Sequence, residues 1–340
     1  MSRVIVLGGL GQFGRTAAVQ LRSLGIAVQT ASRDLRSDIH VDANDGASLR
    51  TAFRPNDLVI DAAGPFHGRS AALVEAAIDV GFDVIDINDD LRYAKAILAM
   101  QPRIDTAGIR VLSSASSVSA VAATIVRQSG ITTPVRVSAF LAPASRHTAN
   151  AGAARSLIRS VGQPIRVFRD GKLQTAIGWS ESRSFRLPAP AGSICGRLFE
   201  CADSVYLPRI WPTLREVAMY VDTNTPGVNS LLRLATVSPA IRKLLESQVR
   251  LSTWIARKFG SSAGGIGYEI EDAGGHVAPY AMVSGTNSFV TAVAPAVLAA
   301  RSIVEGRFPA RGLVLPDRHV ETNILLAFLE SKGLSLTAVT

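Results

Sequence analysis

Two cysteines, Cys195 and Cys201, are the only thiols among the 340 residues. So few thiols exclude a disulfide scaffold and a cysteine-rich zinc fold, and they are typical of a reducing compartment, so we expect a cytoplasmic protein. No run of about 18 apolar residues could form a membrane-spanning helix, and the N-terminus lacks the apolar segment of a secretion signal. Neither a G-x-S-x-G elbow nor a P-loop occurs, and the five histidines lack metal-ligand spacing, so we expect no metal site.

Aromatic residues are also scarce, at 6%. The chain has 36 basic and 27 acidic side chains, and the whole excess lies in residues 131–340, with 23 basic against 14 acidic. The 31 arginines are scattered singly, whereas a nucleic-acid-binding protein more often has a clustered basic stripe with aromatics between, so we expect no nucleic-acid partner. The excess fits either an arginine-rich solvated surface or attraction of a small anionic substrate to the second half.

Short buried strands alternate with helices over the first 113 residues. The predicted strands are 3–7, 26–31, 39–42, 57–62, 83–87 and 110–113, and the helices between them include 15–24, 48–53, 71–80 and 91–107. This alternation predicts an α/β fold of the Rossmann type, with a doubly wound parallel sheet. With 340 residues and 47% hydrophobic residues, we expect two domains.

A glycine-rich turn follows the first strand, and Gly9, Gly11 and Gly14 satisfy the pattern G-x-G-x-x-G. In this pattern the first glycine permits a tight turn, the second lets a pyrophosphate approach, and the third lets the helix pack on the sheet. The N–H groups at the start of the helix then favour the phosphates. The context predicts a dinucleotide site that includes Gly8, Gly9, Gly11, Gln12, Phe13 and Gly14.

The end of the second strand indicates which dinucleotide binds. An NAD site usually has an acidic residue there, but the strand ends Thr30-Ala31-Ser32-Arg33. A hydroxyl followed by a guanidinium favours the 2′-phosphate of NADP, so Ser32 and Arg33 are predicted cofactor contacts. The alternative is that Arg33 is merely exposed and Asp34 holds the ribose.

Three further segments lie at predicted strand ends. Asp42 could lie beside the adenine or cap the next helix, and Ala63, Gly64 and Pro65 leave room for the nicotinamide ribose. Asp89 follows the next strand and is a candidate proton donor or acceptor, although Asn88 or Asp89 could instead be a helix N-cap.

His147 is a second candidate for proton exchange, in the predicted polar loop PASRHTANAG of the inserted domain. A lone histidine in such a segment is more often an ordinary surface residue, and this alternative stays open.

Several segments of the chain resemble the saccharopine dehydrogenase-like NADP-binding family. They are GGLGQFGRTAA, ASR, AAGPF and DINDD, followed by SSASSVSAVAATIV and residues 285–316. The resemblance implies an NADP-binding domain over 1–125, with 288–340 packing back on it, and a substrate and dimerisation domain over 126–287. It also implies an oxidoreductase, a homodimer, and a substrate that is an amino-acid-derived imine, amine or carbonyl compound or, in one branch of the family, a lipid-linked group.

The inserted part reads as α+β on a mixed or antiparallel sheet. Asp170-Gly171 between two strand-like runs predicts a hairpin. Residues 228–259 predict a basic amphipathic helix, which could cover the sheet or touch a membrane surface as a peripheral contact.

The sequence thus favours an NADP-dependent oxidoreductase with a small-molecule substrate. Two alternatives remain: a non-catalytic NADPH-binding regulatory protein, and an oxidoreductase acting on a lipid-like substrate at a membrane surface.

Overall fold

The computed structural model describes residues 3–339, and the chain forms two compact units. The first unit contains residues 3–124 together with 289–325, and the second contains residues 125–288 together with 326–339.

The elements up to residue 128 are β1 (Val4–Leu7), α1 (Gln12–Ser23), β2 (Val28–Ser32), β3 (Ile39–His40), α2 (Gly46–Ala52), β4 (Leu58–Asp61), α3 (Ala72–Val80), β5 (Asp83–Asp86), α4 (Leu91–Ala99), α5 (Gln101–Ala107), β6 (Arg110–Leu112) and α6 (Ala120–Gln128). The second unit continues with β7 (Pro134–Ala142), α7 (Ser145–Thr148), α8 (Ala151–Ser160), β8 (Pro164–Arg169), β9 (Lys172–Ile177), β10 (Ser182–Arg186), β11 (Ser193–Phe199), α9 (Asp203–Ile210), β12 (Glu216–Val221), α10 (Val228–Val237), α11 (Pro239–Ser247), α12 (Val249–Phe259), β13 (Gly264–Asp272) and β14 (Val277–Ser284). The chain ends with α13 (Ser288–Val304), β15 (Gly312–Val314), α14 (Thr322–Ser331) and β16 (Leu336–Ala338).

The first unit is built on a seven-stranded sheet in the order β15-β6-β5-β4-β1-β2-β3, and all its pairs are parallel. Every residue of β1 and β4 is buried, as expected for central strands covered on both faces. The Rossmann-type fold predicted from the β/α alternation is confirmed.

The second unit is built on a mixed sheet whose main path is β10-β11-β12-β7-β13-β14-β16. Its strands β7 and β12 pair in parallel, whereas β7 pairs with β13 and β13 with β14 in antiparallel fashion. The predicted hairpin is confirmed, since β8 and β9 join through Asp170 and Gly171, both with positive φ. Such backbone angles are those of the hairpin turn that Asp-Gly favours.

Two predicted helices are broken in the structure. The helix predicted over 91–107 divides into α4 and α5 at Met100, and the one predicted over 228–259 divides into α10, α11 and α12. Pro102 and Pro239 lie in the first turns of α5 and α11. A proline is favourable there because its missing N–H needs no helical partner, but it cannot continue a preceding helix.

The C-terminal segment also differs from its prediction. Residues 288–340 were expected to pack on the first domain, but the residues from 326 on belong to the second unit. The strand β16 pairs with β14, whereas β15 pairs with β6 in the first sheet. Backbone pairing with two different sheets therefore divides this segment. Among residues 3–339, no helix is both long enough and apolar enough to cross a membrane.

Candidate functional site

The glycine turn connects β1 to α1 at the carboxyl edge of the parallel sheet. Gly8 has a φ of +76°, and a Cβ there would lie 2.6 Å from the Cα of Ala63. A Cβ on Gly14 would collide with the carbonyl oxygen of Gly8, so both positions need glycine for packing. A Cβ on Gly11 would lie 3.2 Å from its nearest atom, the carbonyl oxygen of Gly8. Packing within the protein therefore requires glycine less strongly at position 11 than at positions 8 and 14.

The N-terminus of α1 carries no side-chain cap and no acidic residue in its first turn. Gly11 is the N-cap, Gln12 is exposed, and the Phe13 ring packs edge-on against Phe289 at 5.0 Å between centroids. The uncapped N–H groups and the helix dipole together make this end attractive to an anion.

The tip of β2 presents one unpaired cation. Asp34 forms a double hydrogen bond with Arg36, which holds the pKa of Asp34 well below its usual range. Ser32 Oγ accepts a hydrogen bond from the Asp34 backbone N–H at 3.0 Å. The exposed Arg33 guanidinium forms no hydrogen bond or ion pair with the residues that the structure describes, so it is available to a ligand.

Asp42 does not cap the next helix. Its carboxylate accepts a hydrogen bond from the backbone N–H of Asn44, and Asp45 is the residue that caps α2, accepting from Ala47 N. The capping alternative is therefore wrong, and the place of Asp42 beside an adenine stays a prediction.

A buried ion pair holds the loop after β4. Asp61 is completely buried and accepts hydrogen bonds from Arg69 Nη1 at 2.7 and 2.9 Å and from the Ala63 backbone N–H at 3.0 Å. Arg69 also donates to the Ala63 and Ala43 carbonyl oxygens and lies over the Phe66 ring. These contacts fix a segment in which Ala63 is half-buried, Gly64 and Pro65 are exposed, and the Gly64–Pro65 bond is cis.

A second buried carboxyl lies at the end of β5. Asp86 Oδ1 accepts from the backbone N–H groups of Ser114 and Asn88, at 2.8 and 3.0 Å. Burial raises the pKa of Asp86 to about 6, against the lowering effect of these bonds. The Ser113 hydroxyl is buried beside this carboxyl and adds to the same lowering effect.

Three polar residues follow Asp86. Asn88 Oδ1 accepts from the Asp90 backbone N–H, and Asp90 caps α4 by accepting from Tyr93 N at 2.9 Å. The N-cap is thus Asp90, and the alternative that named Asn88 or Asp89 is wrong. Asp89 is an exposed residue, but many protein atoms lie close to its carboxyl group. The resulting partial loss of hydration, together with the negative charge of Asp90, raises the pKa of Asp89 to about 6.

His67 is a further candidate for this region that the sequence motifs did not indicate. Its Nδ1 lies 3.5 Å from Asp90 Oδ2, and 40% of its side chain is exposed. It belongs to the loop after β4 that also contains Gly64 and Pro65, and its place in that loop was the signal that the sequence offered.

His147 lies in the second unit, in the short helix α7 rather than in a loop. It is exposed and does not line the open depression of about 540 Å³ in that unit, whereas its neighbour Arg146 does. The other lining residues are Asp222, Asn224, Thr225, Pro226, Gly227, Asn229, Phe259, Gly260, Ser261 and Ser262.

Comparison with known proteins bears on the fold. No family profile and no curated protein sequence matches the chain. Among solved structures, apo saccharopine dehydrogenase (L-Glu forming) from Saccharomyces cerevisiae is similar over 100% of both chains, with 15% identity and a TM-score of 0.63. The chain has the fold of a saccharopine dehydrogenase.

Two other structures are similar over nearly their whole length but at lower scores. Myo-inositol 2-dehydrogenase from Lactobacillus plantarum is 12% identical over 100% of this chain and 99% of its own, with a TM-score of 0.41. GenD2 from gentamicin A biosynthesis, in complex with NAD, is 14% identical over 100% and 97%, with a TM-score of 0.42. These two scores are too low to establish a shared fold, so the saccharopine dehydrogenase fold rests on the yeast protein.

Proposed function

We propose that the protein is an NADP-dependent oxidoreductase that transfers hydride to or from a small imine, amine or carbonyl compound derived from an amino acid. The observation that carries the proposal is the glycine turn in front of an uncapped α1, with Arg33 unpaired at the tip of the adjacent β2. Pyrophosphate suits the first feature and a 2′-phosphate suits the second.

The residues fit this coenzyme on geometric grounds. A ligand can approach Gly11 closely because no side chain stands there, and Asp34 is engaged with Arg36 rather than free to repel a 2′-phosphate at close range. In the proposed arrangement Gly8, Gly9, Gln12, Phe13 and Gly14 surround the pyrophosphate. Asp42 lies towards the adenine, and Ala63, Gly64 and Pro65 lie towards the nicotinamide ribose.

The bound coenzyme would supply or accept the hydride, and the protein must supply the proton. Asp89 is the proposed donor or acceptor because a pKa of about 6 leaves part of its population protonated near neutral pH. His67 beside Asp90 is a second group of the same strand-end region able to exchange a proton. His147 keeps only the support of its residue type.

The substrate is proposed to be anionic. The second half carries the entire basic excess of the chain, and Arg146 lines the depression of the second unit. A cytoplasmic location and a homodimer complete the proposal. They are supported by the low thiol content and by the family resemblance, and light scattering tests the dimer.

Calorimetric titration with NADPH and NADH tests the cofactor. We expect NADPH to bind more tightly, and Gly11→Ala to weaken NADPH binding by about a hundredfold, because its methyl group would stand where the pyrophosphate approaches. Gly285→Ala is the matched control, since its Cβ would meet only the Ser262 carbonyl oxygen, at 3.5 Å. Folded protein that gives no heat with either nucleotide contradicts the proposal.

Turnover is tested separately by following the nicotinamide absorbance with NADPH and a series of imines and keto acids. Oxidation with one of them, slowed in Asp89→Asn, supports the enzyme. Tight NADPH binding without oxidation across the series favours the alternative of a regulatory NADPH-binding protein.

A further inference from the structure

Exposed apolar side chains are concentrated on three consecutive helices of the second unit, α10, α11 and α12, here called the helical patch (Val228–Phe259). Among residues 3–339 thirteen large apolar side chains are exposed, and seven of them belong to this patch. The seven are Leu231, Leu234, Val237, Leu244, Leu251, Trp254 and Phe259. A segment of 32 residues thus holds about half of the exposed apolar side chains, which marks it as an interaction surface.

The folded unit does not use these side chains for its core. A different set, Leu232, Ala235 and Val249, faces inward and packs with Ile158 and Trp179. The helix α11 has no fully buried residue at all. The exposed side chains therefore remain in excess after the helices have packed, and folding alone does not explain them.

The arrangement on α12 is that of a helix lying at an interface between water and lipid. Leu251, Trp254 and Lys258 follow spacings of three and four residues, which places them on one face. The rings of Trp254 and Phe259 meet edge to face at 6.3 Å, and Lys258 Nζ lies 5.1 and 5.4 Å from their centroids. Tryptophan and lysine combine an apolar body with a polar end, and this favours the boundary region of a bilayer.

The positive charge of the helical patch favours an anionic lipid surface over a second copy of the chain as its partner. The helical patch contains six basic residues and a single acidic one, Glu246, and none of the six forms an ion pair within the described chain. The six are Arg233, Arg242, Lys243, Arg250, Arg257 and Lys258. A second copy packed through the same patch about a twofold axis would bring these like charges together, whereas an anionic lipid surface complements them.

We propose that the helical patch docks the protein on an anionic lipid surface, with Leu251, Trp254 and Phe259 entering the boundary region and the basic residues contacting the headgroups. This inference does not depend on the proposed enzyme function, because it rests only on the second unit.

Co-sedimentation of the full chain with vesicles tests the proposal. We expect binding to phosphatidylcholine vesicles that contain phosphatidylglycerol, weaker binding to phosphatidylcholine alone, and loss of binding as salt is raised. Because each basic residue near such a surface contributes about fivefold to affinity, Lys258→Glu should weaken binding by about tenfold or more. Lys172→Glu, at an exposed lysine of β9, is the matched control and should bind as the unmodified protein does.

The apolar contribution is tested with Trp254→Ala combined with Phe259→Ala, which should also reduce binding by about tenfold or more. Ile324→Ala removes an apolar side chain of α14 that is exposed to a similar extent, and it should leave vesicle binding unchanged. Tryptophan fluorescence gives a readout of insertion: a blue shift on anionic vesicles should disappear in Trp254→Phe, since Trp179 is buried and Trp211 half-buried.

Three results would overturn the proposal. One is the absence of co-sedimentation with anionic vesicles under low salt. Another is binding that the patch variants leave unchanged. The third is light scattering in which the double variant converts a dimer to a monomer while vesicle binding stays the same, because the patch would then be covered by a second copy.

Discussion

Asp61 and Asp86 are completely buried at the carboxyl ends of β4 and β5, whereas Leu251, Trp254 and Phe259 on the helical patch keep half or more of their surface exposed. In the first region charge lies inside the protein, held by Arg69 or by backbone N–H groups. In the second region apolar surface lies outside, on helices that also carry six basic residues. Each arrangement costs free energy in an isolated protein, since buried charge loses its hydration and exposed apolar surface orders water.

The two regions differ in what the unfavourable arrangement does for the protein. Buried charges at the ends of parallel strands stiffen the loops that carry the proposed cofactor contacts Ala63, Gly64 and Pro65. Exposed apolar side chains leave the fold intact and keep a surface ready for a partner. Changes in the first region should therefore alter stability most, and changes in the second region should alter binding alone.

The largest expected effect is that of Asp61→Ala, which leaves the guanidinium of Arg69 buried without its counter-charge. We expect the free energy of unfolding, measured by urea denaturation, to fall by about 3–5 kcal/mol. Asp79→Ala is the control, because Asp79 pairs with Arg50 at 2.6 Å but both side chains are more than 40% exposed, and such pairs contribute about 0–1 kcal/mol. Equal losses in the two variants would show that the Asp61–Arg69 pair is not isolated from water.

The next effect concerns pH. Because burial raises the pKa of Asp86 from 3.8 to about 6, the folded protein keeps a proton that the unfolded chain has released. The free energy of unfolding should therefore decrease as the pH rises through this window, and Asp86→Asn should remove that decrease. From pH 4 to pH 7, the variant should gain about 2.5 kcal/mol relative to the unmodified protein.

His319 acts in the opposite sense and provides a check on this measurement. It is buried, with Nε2 donating to the Val314 carbonyl oxygen at 2.9 Å, and burial lowers its pKa from 6.5 to about 4. Its contribution to stability falls as the pH drops through that range. Since both proteins contain His319, its effect cancels in the difference, and a difference that does not vary with pH would contradict the role given to Asp86.

An intermediate effect is expected at the tip of β2. Arg33→Asp should shift the preference from NADP towards NAD by about tenfold or more, since a charged phosphate contact contributes at least about 1.5 kcal/mol. Competitive titration with the two nucleotides measures the shift. Arg103→Asp reverses an exposed charge on α5 and should leave the preference unchanged; a preference that is equally unchanged in Arg33→Asp removes Arg33 from the site.

The smallest effect on stability is expected at the helical patch. Trp254→Ala should change the free energy of unfolding by no more than about 0.5 kcal/mol, because its side chain is largely in water already. Trp179→Ala, at a completely buried ring, should cost about 3–5 kcal/mol in the same urea titration. A large loss in Trp254→Ala would mean that the patch belongs to the folded core.

Local patterns in the sequence predicted much of the first unit. Runs such as residues 4–7 and 58–60 are apolar because they are buried on both faces, and a glycine turn between such a strand and a helix has few other uses. The Asp170-Gly171 hairpin was also predictable from a local pattern, because its turn type depends on two adjacent residues.

Contacts between distant segments were not predictable in this way. The pairing of Asp61 with Arg69 and the approach of His67 to Asp90 depend on how the loop after β4 is routed. The division of the C-terminus between two sheets depends on which strand edges are left unpaired, and no residue pattern in 326–340 states that.

From its order of residues alone, the chain determined where strands, turns and most helices form, because those choices depend on neighbours a few positions apart. Only the tertiary structure decided which carboxyl groups lose their water, which cations stay unpaired, and which apolar side chains remain outside. Those outcomes depend on the total packing around each group, and residues far apart along the chain contribute most of it.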